Sequence, residues 1–199
     1  GNDNSASGSS STAMGRGTIA SGNDSTALGA NTEASGFGST AMGSGTTASG
    51  NDSTAMGKNT TASGWASTAM GFYTMASGDY STAMGNGATA SGSRSTAMGS
   101  GTVASGNYST AMGRITTASG SVSTAMGYYS TASDFSSLVM GQFNLSGSTV
   151  TSSADQFSLD NTAFVIGNGA DSENRSDALV VKFNGDATLA GSMTATSFI

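Results

Sequence analysis

The fold is decided by the stretch Ser53–Ala66, which reads Ser-Thr-Ala-Met-Gly-Lys-Asn-Thr-Thr-Ala-Ser-Gly-Trp-Ala. The pentad Ser-Thr-Ala-Met-Gly recurs at a period of 14 residues, and each pentad is followed, after two free positions, by Thr-x-Ala-Ser-Gly. A fixed period is the signature of a repeat architecture. The unit is too short for a pair of helices, and Gly or Thr costs about 0.5–1 kcal/mol per residue in a helix. The period therefore predicts a β-solenoid in which every 14-residue coil contributes two short strands.

The repeat occupies about three quarters of the chain. Nine full coils run over 11–136, half a coil precedes them, and a worn tenth pentad begins at Ser137. We therefore predict a repeat domain over 1–147. The remainder, 148–199, is predicted to hold a transition, a divergent last coil and a β-hairpin or fibre connector, with another strand-like run over 192–199. The hairpin turn is expected at Asn184–Gly185, because Asn-Gly is a strong hairpin signal.

The composition excludes several classes of protein. The chain has 199 residues with no Pro, Cys or His, and only 9% are charged, so neither a thick aliphatic core nor the charge-rich composition of disorder is present. The net charge of −6 argues against nucleic-acid partners, and no apolar run is long enough to span a membrane. Because catalysis needs tuned titratable groups, we expect no catalytic, cofactor-binding or metal site and no enzyme activity. The acidic stretch 171–177 is interpreted as a solvated loop rather than a Ca²⁺ site.

Alternation along the pentad predicts two buried faces. Thr and Met share one face of this strand, and Ser, Ala and Gly share the other. Neither face carries a charge in the nine coils, so one face would line the interior and the other would pack against another body. The Met column is interpreted as core packing rather than a soft-metal site, because no Cys or His accompanies it. The predicted core ladder consists of Met14, Leu28, Met42, Met56, Met70, Met84, Met98, Met112, Met126 and Met140.

The second strand is predicted to be buried on one face only, because its middle position accepts residues as different as Ile19 and Glu33. The free positions between strands hold nearly all the charge and bulk, which is typical of solvent-facing turns. Aromatic residues on these turns are candidates for binding a host-surface glycan or protein, or for a seam with neighbouring fibre subunits, and both interpretations stay open. They are Phe37, Trp65, Phe72, Tyr73, Tyr80, Tyr108, Tyr128 and Tyr129.

The alternation of the two half-units resembles the YadA-like head repeat of trimeric autotransporter adhesins, a roll that also appears in phage tail fibres. The resemblance covers about residues 5–147, and its Val and Ile positions are Thr and Met here. It implies a left-handed parallel β-roll, a homotrimer and an extracellular location on a bacterial cell surface or a virion tail fibre. A weaker resemblance of residues 174–186 to segments of long viral and bacterial fibres shifts the expectation toward a phage fibre.

These observations predict a structural extracellular fibre or adhesin module, a rigid trimeric rod for surface attachment. Two alternatives stay open. An ice-binding solenoid would use a grid of outer hydroxyls, which pairs Thr47 with Ser49, Thr61 with Ser63, Thr89 with Ser91, Thr117 with Ser119 and Thr131 with Ser133. A self-polymerising filament would instead grow end to end from this chain alone.

Overall fold

The computed structural model describes residues 3–192 and residue 194, and within this range all regular structure is β. Two sheets run side by side along the repeat, and consecutive coils pair in parallel with a shift of 14 residues. This confirms the predicted all-β parallel solenoid. The strand predicted over 192–199 lies, apart from residues 192 and 194, outside the described residues.

The long sheet contains the strand of each Ser-Thr-Ala-Met-Gly half-unit. These strands are β2 (Thr12–Arg16), β4 (Thr26–Ala30), β6 (Thr40–Ser44), β8 (Thr54–Lys58), β10 (Thr68–Phe72), β12 (Thr82–Asn86), β14 (Thr96–Ser100), β16 (Thr110–Arg114), β18 (Thr124–Tyr128) and β20 (Leu138–Gln142). Their register is uniform, so that Met70 lies between Met56 and Met84.

The short sheet contains the two-residue strands of the Thr-x-Ala-Ser-Gly half-units. These strands are β1 (Ser5–Ala6), β3 (Ile19–Ala20), β5 (Glu33–Ala34), β7 (Thr47–Ala48), β9 (Thr61–Ala62), β11 (Met75–Ala76), β13 (Thr89–Ala90), β15 (Val103–Ala104), β17 (Thr117–Ala118) and β19 (Thr131–Ala132). They form a ten-stranded sheet in coil order.

The space between the sheets is filled by small side chains. Ala27 and Ala55 of the long sheet and Ala34 and Ala62 of the short sheet are fully buried, as are their equivalents in the other inner coils. Larger interior residues, Val139 and Val165, occur where the repeat ends. An interior of alanine and small hydroxyls is thin, which explains how the chain builds a core with few large aliphatics.

Two glycine columns allow consecutive coils to approach closely. A Cβ on Gly57, whose φ is +121°, would lie 2.1 Å from the carbonyl oxygen of Gly71, and one on Gly64 would lie 2.1 Å from that of Gly78. No side chain fits at that distance. The two glycines of each coil are therefore required by contact with the next coil, and Gly57 is required by its backbone conformation as well.

Buried hydroxyls line the interior in two columns. Ser39 donates to the carbonyl of Gly36 at 2.8 Å, and Ser137 donates to that of Asp134 at 2.9 Å. Each bond reaches three residues back within one turn, a common local use of serine. Other serines of this column, such as Ser67, have the carbonyl of the equivalent residue in the same turn as a potential acceptor.

The long sheet continues beyond the repeat. β21 (Thr162–Asn168) adds in parallel to β20 with Val165 opposite Val139. β22 (Asp177–Lys182) and β23 (Ala187–Leu189) follow in antiparallel pairing, joined by a turn that contains Asn184 and Gly185. The segment between β20 and β21 crosses the end of the last coil, where the short sheet has no further strand.

Asp134 marks the end of one glycine column. It occupies the position equivalent to Gly120, is fully buried, and accepts the backbone N–H of Thr151 at 2.6 Å and of Thr162 at 2.7 Å. A side chain is tolerated here because no further coil lies over this residue. The carboxylate instead fastens the segment that leaves the solenoid.

Candidate interaction surfaces

The methionine ladder lies on the outer face of the long sheet and not in the interior of the single chain. Neighbouring members are in register, as for Met84 and Met98. Met14 is 62% exposed and Met42 is 38% exposed, whereas the remaining members are half-buried. The predicted ladder is therefore continuous, and its burial as a core element stays a prediction that requires a second body over this face.

The same outer face becomes more apolar toward the end of the long sheet. The Thr column continues into Leu138 and Phe164, and the Met column continues from Met140 into Ile166. The antiparallel strands extend both columns, since Val181 lies opposite Phe164 and Leu179 lies opposite Ile166. We call this combined surface the Thr/Met face. It runs through β2 to β23 as two columns of uncharged side chains.

The outer face of the short sheet is chemically different. Glu33 and Ile19 are exposed there, and Met75 is 42% exposed between Thr61 and Thr89. These residues interrupt the hydroxyl grid of the ice-binding alternative. The grid also ends at Ser133, which is buried and donates to the carbonyl of Ser148.

Two edges connect the sheets. The turn-1 edge follows the long strands, at the residue pairs 16–17, 30–31, 44–45, 58–59, 72–73, 86–87, 100–101, 114–115, 128–129 and 142–143. The turn-2 edge follows the short strands, at the pairs 23–24, 37–38, 51–52, 65–66, 79–80, 93–94, 107–108, 121–122 and 135–136. The second residue of each pair has a positive φ, as in Tyr73 (52°) and Tyr80 (58°).

The turn-2 edge carries a ladder of side-chain amides and carboxylates that the 14-residue period conceals. Asn23, Asn51, Asp79 and Asn107 recur every 28 residues. Each accepts the backbone N–H of the equivalent residue one coil earlier, at Ser9 (3.0 Å), Phe37 (3.1 Å), Trp65 (2.9 Å) and Ser93 (3.1 Å). An alternation of Asx with other residues was the sequence signal for this ladder, and analysis at a period of 14 misses it.

The predicted aromatic residues lie on both edges. On the turn-2 edge, the rings of Trp65 and Tyr80 are 4.8 Å apart, and the guanidinium of Arg94 lies 5.0 Å from the ring of Tyr80 and 5.3 Å from that of Tyr108. Arg94 also donates to the Tyr108 hydroxyl at 3.2 Å. Phe37, on the same edge, is exposed. These contacts run along the fibre, so the ring faces of Tyr80 and Tyr108 contact Arg94 of the same chain.

On the turn-1 edge, Phe72 packs edge-on against Tyr73 with ring centroids 4.4 Å apart. Near the end of the repeat, Tyr128 and Tyr129 form a cluster with Phe143, whose ring is stacked on that of Tyr129 at 4.8 Å. Tyr128 and Tyr129 are half-buried by this cluster, whereas Tyr73 is well exposed. The role of all eight aromatic residues in binding stays a prediction.

The acidic stretch 171–177 forms an exposed loop. The Asp171 carboxylate accepts hydrogen bonds from the Asn174 side chain and from the backbone N–H of Asn174 and Glu173. These bonds, the Asn174 side chain first, hold the pKa of Asp171 below its ordinary value. Over the described residues, no group of three or more His, Cys, Asp or Glu side chains is placed to hold a metal ion. The same part of the chain contains no helix long and apolar enough to cross a membrane.

A comparison with protein-family models matches the chain to the YadA head domain repeat, a model of two repeat copies. The matched ranges are 6–32, 34–60, 48–74, 62–88, 76–102, 90–114 and 104–130, which together span well over half of the chain. A search of the curated proteins finds no match. The register of Met70 between Met56 and Met84 shows the same repeat in three dimensions. From the family match and the parallel solenoid together, we conclude that this chain belongs to the YadA head repeat family of adhesin-type structural modules.

Proposed function

We propose that the chain forms a rigid homotrimeric rod that serves in surface attachment outside the cell, on a bacterial surface or a phage tail fibre. The observation that carries the proposal is the Thr/Met face. A sheet buried on one side and apolar on the other is incomplete as a single chain, because large contiguous apolar patches mark interaction sites. Three chains that direct this face toward a common axis would bury it.

The regular register supports a stiff rod. Each long strand makes a full set of parallel pairings with the strand of the next coil, as at Thr82–Asn86 against Thr96–Ser100. At a spacing of roughly 4.8 Å per coil, ten coils span about 45 Å. The spacing is uniform because the same glycine contacts recur in every inner coil.

The end of the repeat supports a discrete particle over an end-to-end filament. The backbone of Thr131, in the last short strand, is hydrogen-bonded to the side chain of Asn144, and Ser133 donates its backbone N–H to Gly147 of the crossing segment. A further copy added at this end would have to displace those bonds. Closed assembly around an axis is the economical alternative.

The oligomeric part of the proposal is tested by multi-angle light scattering at several protein concentrations. We expect a constant mass near three times the 19.3 kDa of one chain. A monomeric mass would overturn the trimer, and a mass that rises with concentration would favour the filament.

The attachment part needs its own assay. Beads coated with the purified trimer are washed on immobilised glycans and on immobilised protein, with beads that carry a matched monomeric variant as the control. Retention above that control supports a role in attachment. Equal retention on every surface would overturn that role and leave a purely structural shaft.

A further inference from the structure

We propose that the turn-1 edge of one chain docks against the turn-2 edge of the next chain, so that Lys58 and Arg16 face Asp52, Asp79 and Asp24 of a second copy. This inference rests on the proposed trimer and specifies which surfaces of the chains meet. It is carried by the segregation of charge between the two edges.

The two edges carry opposite signs of charge. On the turn-1 edge, three of the four charged side chains are basic, and these are Arg16, Lys58 and Arg114, with Asp3 as the fourth. On the turn-2 edge, three of the four charged turn residues are acidic, and these are Asp24, Asp52 and Asp79, with Arg94 as the fourth. Arg94 is engaged with the rings of Tyr80 and Tyr108. Complementary surfaces of this kind favour specific association.

The basic and acidic groups cannot pair within one chain. Lys58 ends the strand that follows Asp52, and the six intervening steps of extended chain separate their Cα atoms by about 20 Å. The Lys58 ammonium lies 5.6 Å from the ring of Phe72, and the Asp52 carboxylate accepts only a long bond of 3.4 Å from Trp65 among its side-chain contacts in the described structure. Both charged groups are therefore available to another molecule.

Rotational symmetry brings unlike edges together. In a ring of identical chains, every interface joins one patch of a chain to a different patch of its neighbour. If the Thr/Met faces point at the axis, each corner of the trimer brings the turn-1 edge of one chain to the turn-2 edge of the next. Like charges would meet at no corner except where Asp3 or Arg94 intervenes.

The charges also lie at matching heights. Arg16 and Asp24 belong to the same coil, while Lys58 belongs to the coil between those of Asp52 and Asp79. One coil corresponds to about 4.8 Å along the rod, which a lysine side chain can span. Chains at equal height therefore place opposite charges within reach at two levels.

Side-chain size follows the same pattern. In the two coils whose turn-2 edge carries the bulky Arg94 and Tyr108, the turn-1 edge is small, with Asn86–Gly87 and Ser100–Gly101. In the preceding coil, Phe72 and Tyr73 of one edge share their level with Tyr80 of the other. The exposed rings of Tyr73 and Tyr80 would then be buried at the seam. This interpretation selects the subunit seam over glycan binding for these aromatic residues.

Zero-length carbodiimide coupling tests the proposal, because it joins an amine to a carboxylate only when the two are in contact. The chain has two lysines, Lys58 and Lys182, so the amines available for coupling are few. We expect covalent dimers and trimers on denaturing gels, and a linked peptide that joins Lys58 to Asp52 or Asp79. Since these groups are about 20 Å apart within one chain, such a peptide reports contact between chains.

Matched variants distinguish the outcomes, and native mass is measured for each. Lys58→Gln should remove the coupled species and keep the trimeric mass, and Lys182→Gln should keep both. If the wild-type chain is trimeric and coupling is indifferent to Lys58→Gln, this edge pairing is wrong while the trimer stands. If the wild-type chain is monomeric, the proposed function itself fails and takes this inference with it.

A charge exchange gives a second measurement. Lys58→Glu and Asp52→Lys each place like charges together at the seam, so each should lower the melting temperature of the trimer at low salt. The double variant should recover most of the loss, and salt should shrink all three differences. Purely additive effects in the double variant would contradict contact between the two edges.

Discussion

Asn144 takes the place of a missing strand beside Thr131. Its fully buried side chain accepts the Thr131 backbone N–H at 2.7 Å and donates to the Thr131 carbonyl at 2.9 Å. Its amide nitrogen also donates to the carbonyl of Ser146 at 2.7 Å. A carboxamide offers the same donor and acceptor as a peptide unit. The short sheet therefore ends on a side chain that completes the hydrogen bonds of its last strand.

Replacing this group should weaken the end of the solenoid. Asn144→Ala leaves buried backbone groups without partners, which typically costs about 1–3 kcal/mol each. We expect a clear loss in the free energy of unfolding measured by chemical denaturation. Asn174→Ala is the control, because Asn174 makes its hydrogen bonds in an exposed loop and should change stability by about 0.5 kcal/mol or less. Equal effects of the two variants would contradict the capping role of Asn144.

The close approach of coils predicts a steep cost for a single methyl group. In Gly64→Ala the new Cβ would lie 2.1 Å from the carbonyl oxygen of Gly78, so neighbouring coils must separate. We expect a loss of about 3 kcal/mol or more, at the upper end of overpacking effects. Thermal unfolding followed by circular dichroism provides the measurement.

Gly185→Ala separates this steric effect from backbone strain. Gly185 has a φ of +93° but no heavy atom within 4 Å of its ideal Cβ position. Its replacement should cost about 1–2 kcal/mol through conformation alone. A smaller effect at Gly64 than at Gly185 would show that coil spacing is less restrictive than the structure indicates.

Trp65 provides a built-in reporter of the seam, since it is the sole tryptophan of the chain. Its side chain is 48% exposed in the single chain and packs edge-on against Tyr80. Burial against a neighbouring chain should shift its fluorescence toward shorter wavelength and protect it from acrylamide. Dilution or a monomeric variant should reverse both changes. Equal quenching in trimer and monomer would place Trp65 outside the interface.

The repeat made the solenoid predictable, whereas the position of the methionines depended on packing. Both faces of the pentad are uncharged, so alternation alone does not say which face turns inward. The interior accepts only residues as small as Ala55 and Ala62, because the glycine contacts hold the coils and their turns close together. Met56 is too large for that space and lies outside.

The polar anchors at the end of the repeat were not predictable from local sequence. Asp134 bonds to Thr162, which is 28 residues away, and Asp177 accepts the backbone N–H groups of Leu145 and Ser146 from more than 30 residues away. Such partners become neighbours only after the chain has crossed the last coil. The substitution of Asp134 for glycine was nevertheless visible in the column, and its cause is the absence of a further coil above it.

The central claim is that the Thr/Met face joins three chains, and two methionines on opposite sheets test it directly. Met84 lies half-buried on the Thr/Met face, and Met75 is exposed on the outer face of the short sheet. A lysine at position 84 would bring three ammonium groups to one level near the axis, where burial of unpaired charge is costly. By light scattering, we predict a mass near three times 19.3 kDa for the wild type and for Met75→Lys, and one chain mass for Met84→Lys. A trimeric mass for Met84→Lys, or a monomeric wild type, would contradict the account.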